Sequence, residues 1–170
     1  MQRKGVFRNL LENTSMKTLE EWFAEYSVSH QHATNKKIHY ICVPAIFFSV
    51  VGLLMSIPNR GLISLVHSDN FLYVNCAVVA LRPVIYFYLR LSIKMAFYIL
   101  VFATICVIGN FWLAQIGPLW LSSVIIFSVA WVGQFYGHKL EGKKPSFFKD
   151  LQFLLIGPAW VLQKWFGTPK

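Results

Sequence analysis

The run MAFYILVFATICVIGNFWLAQ, residues 95–115, holds no charged side chain and decides the fold class. At about 1.5 Å of rise per residue, a helix of that length crosses the roughly 30 Å hydrocarbon core of a bilayer. Three further runs of the same kind lie at about 40–57, 71–89 and 118–137. The links between them are short: Pro58 to Asn70, Arg90 to Lys94, and the Ile116–Gly117–Pro118 corner. Short links make consecutive helices antiparallel neighbours. The expected fold is therefore all-α, an integral membrane four-helix bundle, with residues 1–170 forming a single membrane domain.

Composition agrees with that reading. The 170 residues are 56% hydrophobic and only 14% charged, against roughly a quarter charged in a soluble domain. The net charge of +9 would suggest nucleic acid in a soluble chain. Here the basic residues flank apolar runs, and no Lys/Arg-rich run is interleaved with stacking aromatics elsewhere, so the expected partners are membrane lipids and not nucleic acid. Arg3, Lys4, Arg8, Lys17, Lys36 and Lys37 precede the first run; Arg90 and Lys94 join the second to the third; Lys139, Lys143, Lys144 and Lys149 follow the fourth. The opposite face has Arg60, offset by Asp69. Excess positive charge marks the cytosolic side, so the chain reads as multi-pass with both termini in the cytosol. A short chain without a tail points to a bacterial inner membrane rather than the endoplasmic reticulum. Cys42, Cys76 and Cys106 fall inside apolar runs without paired spacing and read as packing residues. Residues 1–18 lack the apolar core of a cleavable signal.

Both ends carry smaller elements. Residues 18–30 read as an amphipathic helix: Thr18 and Glu21 form a capping-box pair, and Leu19, Trp22, Phe23, Tyr26 and His30 share one face. Residues 1–38 thus form a cytosolic arm with an N-terminal interfacial amphipathic helix, Trp22 and Tyr26 lying at headgroup level. Asn35 is placed to cap the first span. The stretch Leu151 to Leu162 is broken by Gly157–Pro158 and is too short to cross, so 146–166 reads as a C-terminal re-entrant or interfacial helix.

This topology brings His30, His39 and His138 to one membrane face. Imidazole is the commonest protein ligand for borderline transition metals. His30 and His39 are nine residues apart and would point to opposite sides of one straight helix, but an elbow near Asn35 aims both inward. Glu141 follows His138 by one helical turn. Three imidazoles and a carboxylate suit Fe(II), manganese or zinc better than magnesium or calcium. Glu141 is a candidate catalytic group, as a fourth ligand or an orienter of a histidine, and pairing with Lys143 or Lys144 is its plainer reading. Asn35 and Gln134 are candidate supports of the ligating rings. Arg82, beside Pro83 inside the second span, is the second candidate catalytic group: it can snorkel to the inner face, neutralise Glu141 or hold a substrate carboxylate. His32 reads as solvent-facing and His67 lies on the other face.

Absent are a P-loop, a Gly-x-Ser-x-Gly elbow, a dinucleotide fingerprint and a His-Glu-x-x-His pair. Five histidines are too few for the clusters of the di-iron membrane desaturases, which leaves a mononuclear site. Three other readings stay open on residues alone: a non-enzymatic lipid-binding or transport subunit whose histidines touch headgroups, a bis-histidine haem protein, and a zinc hydrolase.

Tyr26-Ser-Val-Ser-His30-Gln-His-Ala-Thr-Asn35-Lys-Lys-Ile-His39, followed by Val43-Pro44, resembles the N-terminal signature of the fungal and bacterial 2-hydroxy fatty acid dioxygenases. Trp131-Val-Gly-Gln134-Phe-Tyr-Gly137-His138-Lys-Leu-Glu141-Gly-Lys-Lys-Pro145 resembles the C-terminal one. Their order and separation also fit, so the similarity covers residues 17 to 162. His32 departs from it, since a polar residue other than histidine is more usual there. The resemblance implies a membrane-embedded oxidoreductase of fatty acid α-oxidation with Fe(II) as cofactor. A 2-hydroxy long-chain fatty acid and O₂ would give the acid one carbon shorter and CO₂, without 2-oxoglutarate. His30, His39 and His138 would hold the metal, and Arg82 or Lys36 would steer the carboxylate.

Overall fold

The computed structural model describes residues 17–142, 153 and 155–167. Among these there are seven helices and no strand. The first, α1 (Leu19–Val28), starts as its sequence predicts. The Thr18 hydroxyl accepts from the Glu21 amide (3.2 Å) and the Glu21 carboxylate accepts from the Thr18 amide (2.7 Å). Leu19, Phe23 and Tyr26 are its buried stripe.

The chain then turns at residues 29–32 and enters α2 (Ala33–Met55). The elbow comes earlier than expected. His32, not Asn35, is the cap, its Nδ1 accepting from the Thr34 amide (3.2 Å). Asn35 falls in the first turn and is buried. The helix also runs through Pro44, whose missing amide is tolerated where neighbouring helices cover the backbone.

Beyond the short α3 (Arg60–Val66), the run expected to span at 71–89 folds as α4 (Cys76–Leu91), only 16 residues long. Asn75 sets its start: the side chain accepts from the Val78 amide (3.0 Å) and donates back to the Phe71 carbonyl (2.8 Å), closing residues 71–75 into a turn. Sixteen residues reach about 24 Å, short of the hydrocarbon core. Ser92 both ends α4 and caps α5 (Ile93–Ile116); Pro118 then leads into α6 (Leu119–Glu141). Among the described residues three helices, α2, α5 and α6, are long and apolar enough to cross a membrane. Their exposed Ile105, Trp112, Trp120, Val129 and Val132 form the outward apolar surface of a membrane protein. Gly142, at φ 70°, ends α6 in the left-handed conformation that glycine adopts most readily. Of the expected element at 146–166, residues 146–152 and 154 lie outside the described residues. The remainder contains α7 (Ile156–Phe166), 11 residues long and too short to cross.

The hub is α2, whose most extensive partner is α6. The two run antiparallel: Asn35 faces Gly137, Cys42 faces Gly133, and Gly52 faces Ser123. Each close approach depends on a glycine. A Cβ on Gly133 would lie 2.7 Å from Cys42 Sγ, and one on Gly137 would strike Asn35 Oδ1. Gly133 and Gly137 are one turn apart on one face of α6, the small-residue spacing that lets membrane helices close. Two apolar clusters fill the interior. One, around Phe47, Val51, Met55, Ala103 and Cys106, lies toward the end of α2. The other joins Tyr26, Val43, Ile99, Ile156 and Val161 and sits beside the histidines.

Candidate metal centre

Three separate segments deliver three imidazoles to one place. His30 leaves the end of α1, His39 sits two turns into α2, and His138 lies one turn before the end of α6. Their relative exposures are 1%, 1% and 4%. Ring centroids are 4.2 Å apart for His30 and His39, 5.0 Å for His39 and His138, and 5.4 Å for His30 and His138. One ligand nitrogen from each lies within 4.8 Å of the others.

Local backbone geometry fixes two of the rings. His30 Nδ1 is 2.7 Å from the Tyr26 carbonyl oxygen, and His39 Nδ1 is 3.0 Å from that of Asn35. A carbonyl only accepts, so each Nδ1 carries the proton and each Nε2 keeps its lone pair. That is the tautomer of an imidazole ready to ligate. Three nitrogens around one ion, at about 2.1 Å each, lie about 3.0 to 3.6 Å apart. The cluster therefore fits a single ion once each ring moves inward by about 1 Å. The neutral, all-nitrogen donor set suits iron or zinc.

Glu141 approaches the same elbow by a different route. Its Oε1 accepts from the Gln31 amide (2.8 Å), and its Oε2 accepts from the His32 amide (2.9 Å) and from Asn35 Nδ2 (3.0 Å). The carboxylate grips the turn between His30 and His39 and ties it to the helix that bears His138. Three donors occupy it, and it is not among the ligating nitrogens. Asn35 Nδ2 also donates to the Ser29 carbonyl (3.4 Å). The alternative partners Lys143 and Lys144 lie outside the described residues.

Gln134, one turn before His138, is buried and lines a cavity of about 30 Å³ with His39, Tyr26, Val43, Ile46 and Phe153. Arg82 is elsewhere. It lines a cavity between α4 and α5 that shares no residue with the one beside His39. His32 is exposed, and His67 ends α3 far along the chain from the cluster.

Sequence reasoning missed the aromatic housing. Tyr26 is buried and stacks flat on His30, with centroids 4.1 Å apart and planes 9° from parallel, so its ring faces the histidines and not the outside of the protein. Phe153 and Trp160 close around Tyr26, each 5.2 Å away. Trp160 comes within 5.7 Å of the His30 ring and donates its indole N–H to the Ser27 hydroxyl (3.2 Å). The i to i+4 spacing of Tyr26 and His30 was the available signal. Nothing local in the sequence points from Trp160 to His30.

A family model described as "2-hydroxy-palmitic acid dioxygenase Mpo1-like" matches residues 16–168. No curated protein and no solved structure matches the chain.

Proposed function

The protein belongs to the Mpo1-like family, and from that premise we propose that it is a membrane-embedded, Fe(II)-dependent 2-hydroxy fatty acid dioxygenase. The reaction consumes a 2-hydroxy acid and O₂ and yields the acid one carbon shorter, CO₂ and water. The bond between the carboxyl carbon and carbon two breaks, and four electrons pass from the substrate to O₂. The observation that carries the reading is the meeting of three buried imidazoles from three segments of an apolar helical chain. Fe(II), when bound, supplies the redox chemistry of O₂ and coordination positions that a 2-hydroxy carboxylate can chelate.

The chain's own residues do the rest. His30, His39 and His138 hold the ion, with the carbonyls of Tyr26 and Asn35 orienting two of the rings. Tyr26, Phe153 and Trp160 keep water from the cluster. Glu141 acts by position: it holds the elbow at the angle that turns His30 and His39 toward each other. Glu141→Gln sets an amide NH₂ against at least one of the three donors, and the expected result is a 10- to 100-fold loss of iron affinity, roughly the range for groups that orient ligands, with helix content unchanged. Iron titration beside circular dichroism checks it; an unaltered affinity removes Glu141 from the centre. Gln134 supports the same rings from α6.

In the membrane, α2, α5 and α6 are read as full spans and α4, lengthened by the turn at 71–75 that leads into it, as the fourth crossing, with both termini cytosolic and α1 and α7 lying at the cytosolic interface. Arg90 and Lys94 mark the inner end of the α4–α5 hairpin. A bacterial inner membrane suits this arrangement. The haem alternative is disfavoured, because the cavity beside His39 is only about 30 Å³.

The deciding experiment gives anaerobically Fe(II)-loaded protein 2-hydroxyhexadecanoate and O₂. Pentadecanoate, CO₂ and O₂ uptake in equal amounts are expected. No product from protein that has retained its iron overturns the proposal. Bound zinc with no O₂ uptake favours a hydrolase.

A further inference from the structure

Arg82 lines a cavity of about 540 Å³ between α4 and α5, whose other walls include Leu81, Ile85, Leu100, Ala103 and Val107. The volume lies within the roughly 300 to 1,000 Å³ of small-molecule sites. Ala103 and Thr104 are at the middle of α5, a helix apolar enough to cross the membrane. A guanidinium beside that midpoint is expensive unless something neutralises it. Among the described residues nothing does: the one ion pair joins Lys17 to Glu25. Of the other polar groups on the wall, the Thr104 hydroxyl donates to the Leu100 carbonyl (2.8 Å) and the Tyr86 hydroxyl accepts from Arg90.

Two observations narrow the occupant. First, hydrocarbon alone would fill the apolar walls and leave the guanidinium unpaired, so the ligand carries an anion on an apolar chain. Second, the cavity continues toward the rim. Tyr86, one turn from Arg82, also lines a second cavity of about 240 Å³ with Lys17, Trp22 and Arg90. Arg90 Nη1 donates to the Tyr86 hydroxyl (3.2 Å). Arg82, Tyr86 and Arg90 thus form a polar stripe along one face of α4, leading inward from basic residues. A phospholipid phosphate stays at the headgroup plane. A single-chain carboxylic acid can be neutralised by a proton, pass inward and ionise again beside Arg82.

We propose that the α4–α5 groove is a binding site for a long-chain fatty acid, its carboxylate on Arg82 and its chain along the cavity, separate from the histidine cluster. The site stands on Arg82 and the groove and does not depend on the metal reading. Charge-assisted bonds to a guanidinium are among the stronger polar contacts, and bidentate ones add geometric specificity.

The test is equilibrium binding of hexadecanoate to the iron-loaded full chain in nanodiscs, with hexadecanol and lysophosphatidylcholine as comparison probes. Wild-type protein and His138→Ala should bind hexadecanoate alike. Arg82→Gln should bind it at least about tenfold more weakly, with iron content equal to wild type. Hexadecanol should bind weakly. Equal binding by Arg82→Gln, or hexadecanol matching hexadecanoate on the wild-type chain, overturns the proposal and leaves an ordinary lipid-facing groove. Displacement by lysophosphatidylcholine at equal concentration assigns the groove to headgroup phosphate and overturns it too. Loss of binding in His138→Ala would put the acid on the metal instead. Turnover and metal content are read separately, so failure here leaves the dioxygenase proposal standing, and the reverse holds as well.

Discussion

His39→Ala should bring both bound iron and O₂-dependent turnover to background. Of the three rings, His39 is nearest to both others, at 4.2 and 5.0 Å. Its removal leaves two donors on segments that no longer converge on one point. The substitution also opens a cavity at a buried position, so lost activity alone would be ambiguous. Metal analysis of detergent-purified protein, together with circular dichroism, separates the effects: iron should vanish while helix content persists. His67→Ala is the control, since His67 caps α3 and takes no part in the cluster; it should retain its iron. Full iron and turnover in His39→Ala would sink the mononuclear centre.

Gly137→Val should be almost as damaging, although residue 137 carries no chemical group. A side chain there collides with Asn35 Oδ1 and approaches the His39 ring at 3.6 Å. Asn35 has little room to yield, because its amide is held by Glu141 and by the Ser29 carbonyl. The strain passes to the spacing of α2 and α6. Overpacking of this kind costs about 1–3 kcal/mol, and it separates His39 from His138. A lowered melting temperature and an iron affinity down at least about tenfold are expected by thermal denaturation and iron titration. Gly61→Val, where an added Cβ meets nothing within 4 Å, is the comparison. Wild-type iron affinity in Gly137→Val would mean that this crossing does not set the ligand geometry.

The sequence was most legible where local physics acts alone. The apolar runs at 40–57, 95–115 and 118–137 correspond to long helices, and the Thr18–Glu21 pair does cap α1, because neither depends on distant contacts. The run at 71–89 was misread in extent: hydropathy does not register that Asn75 can bind both the turn before it and the helix after it. The convergence of His30, His39 and His138 followed from counting charges on the two faces, which places residues at one depth but not at one point. That last step depends on the elbow, on Gly137 and on the Glu141 grip, and each is a long-range contact. The same holds for Trp160 against His30 and for the Tyr88 hydroxyl, which donates to the Leu155 carbonyl and ties α4 to α7. Arg82 stood out as an intramembrane cation, but its separation from the histidines was invisible without the packing of α4 on α5.

The grip of Glu141 on Gln31 and His32 joins positions 110 and 109 residues apart. During synthesis, His30 and His39 emerge early and wait for the whole hairpin of α4 and α5 and the return of α6 before a third imidazole arrives. Under the proposed function, metal loading would therefore be a late event in biogenesis, because a half-inserted chain offers only two of the three rings. Iron occupancy would then report completed insertion, with no oxygen chemistry begun inside an unfinished protein.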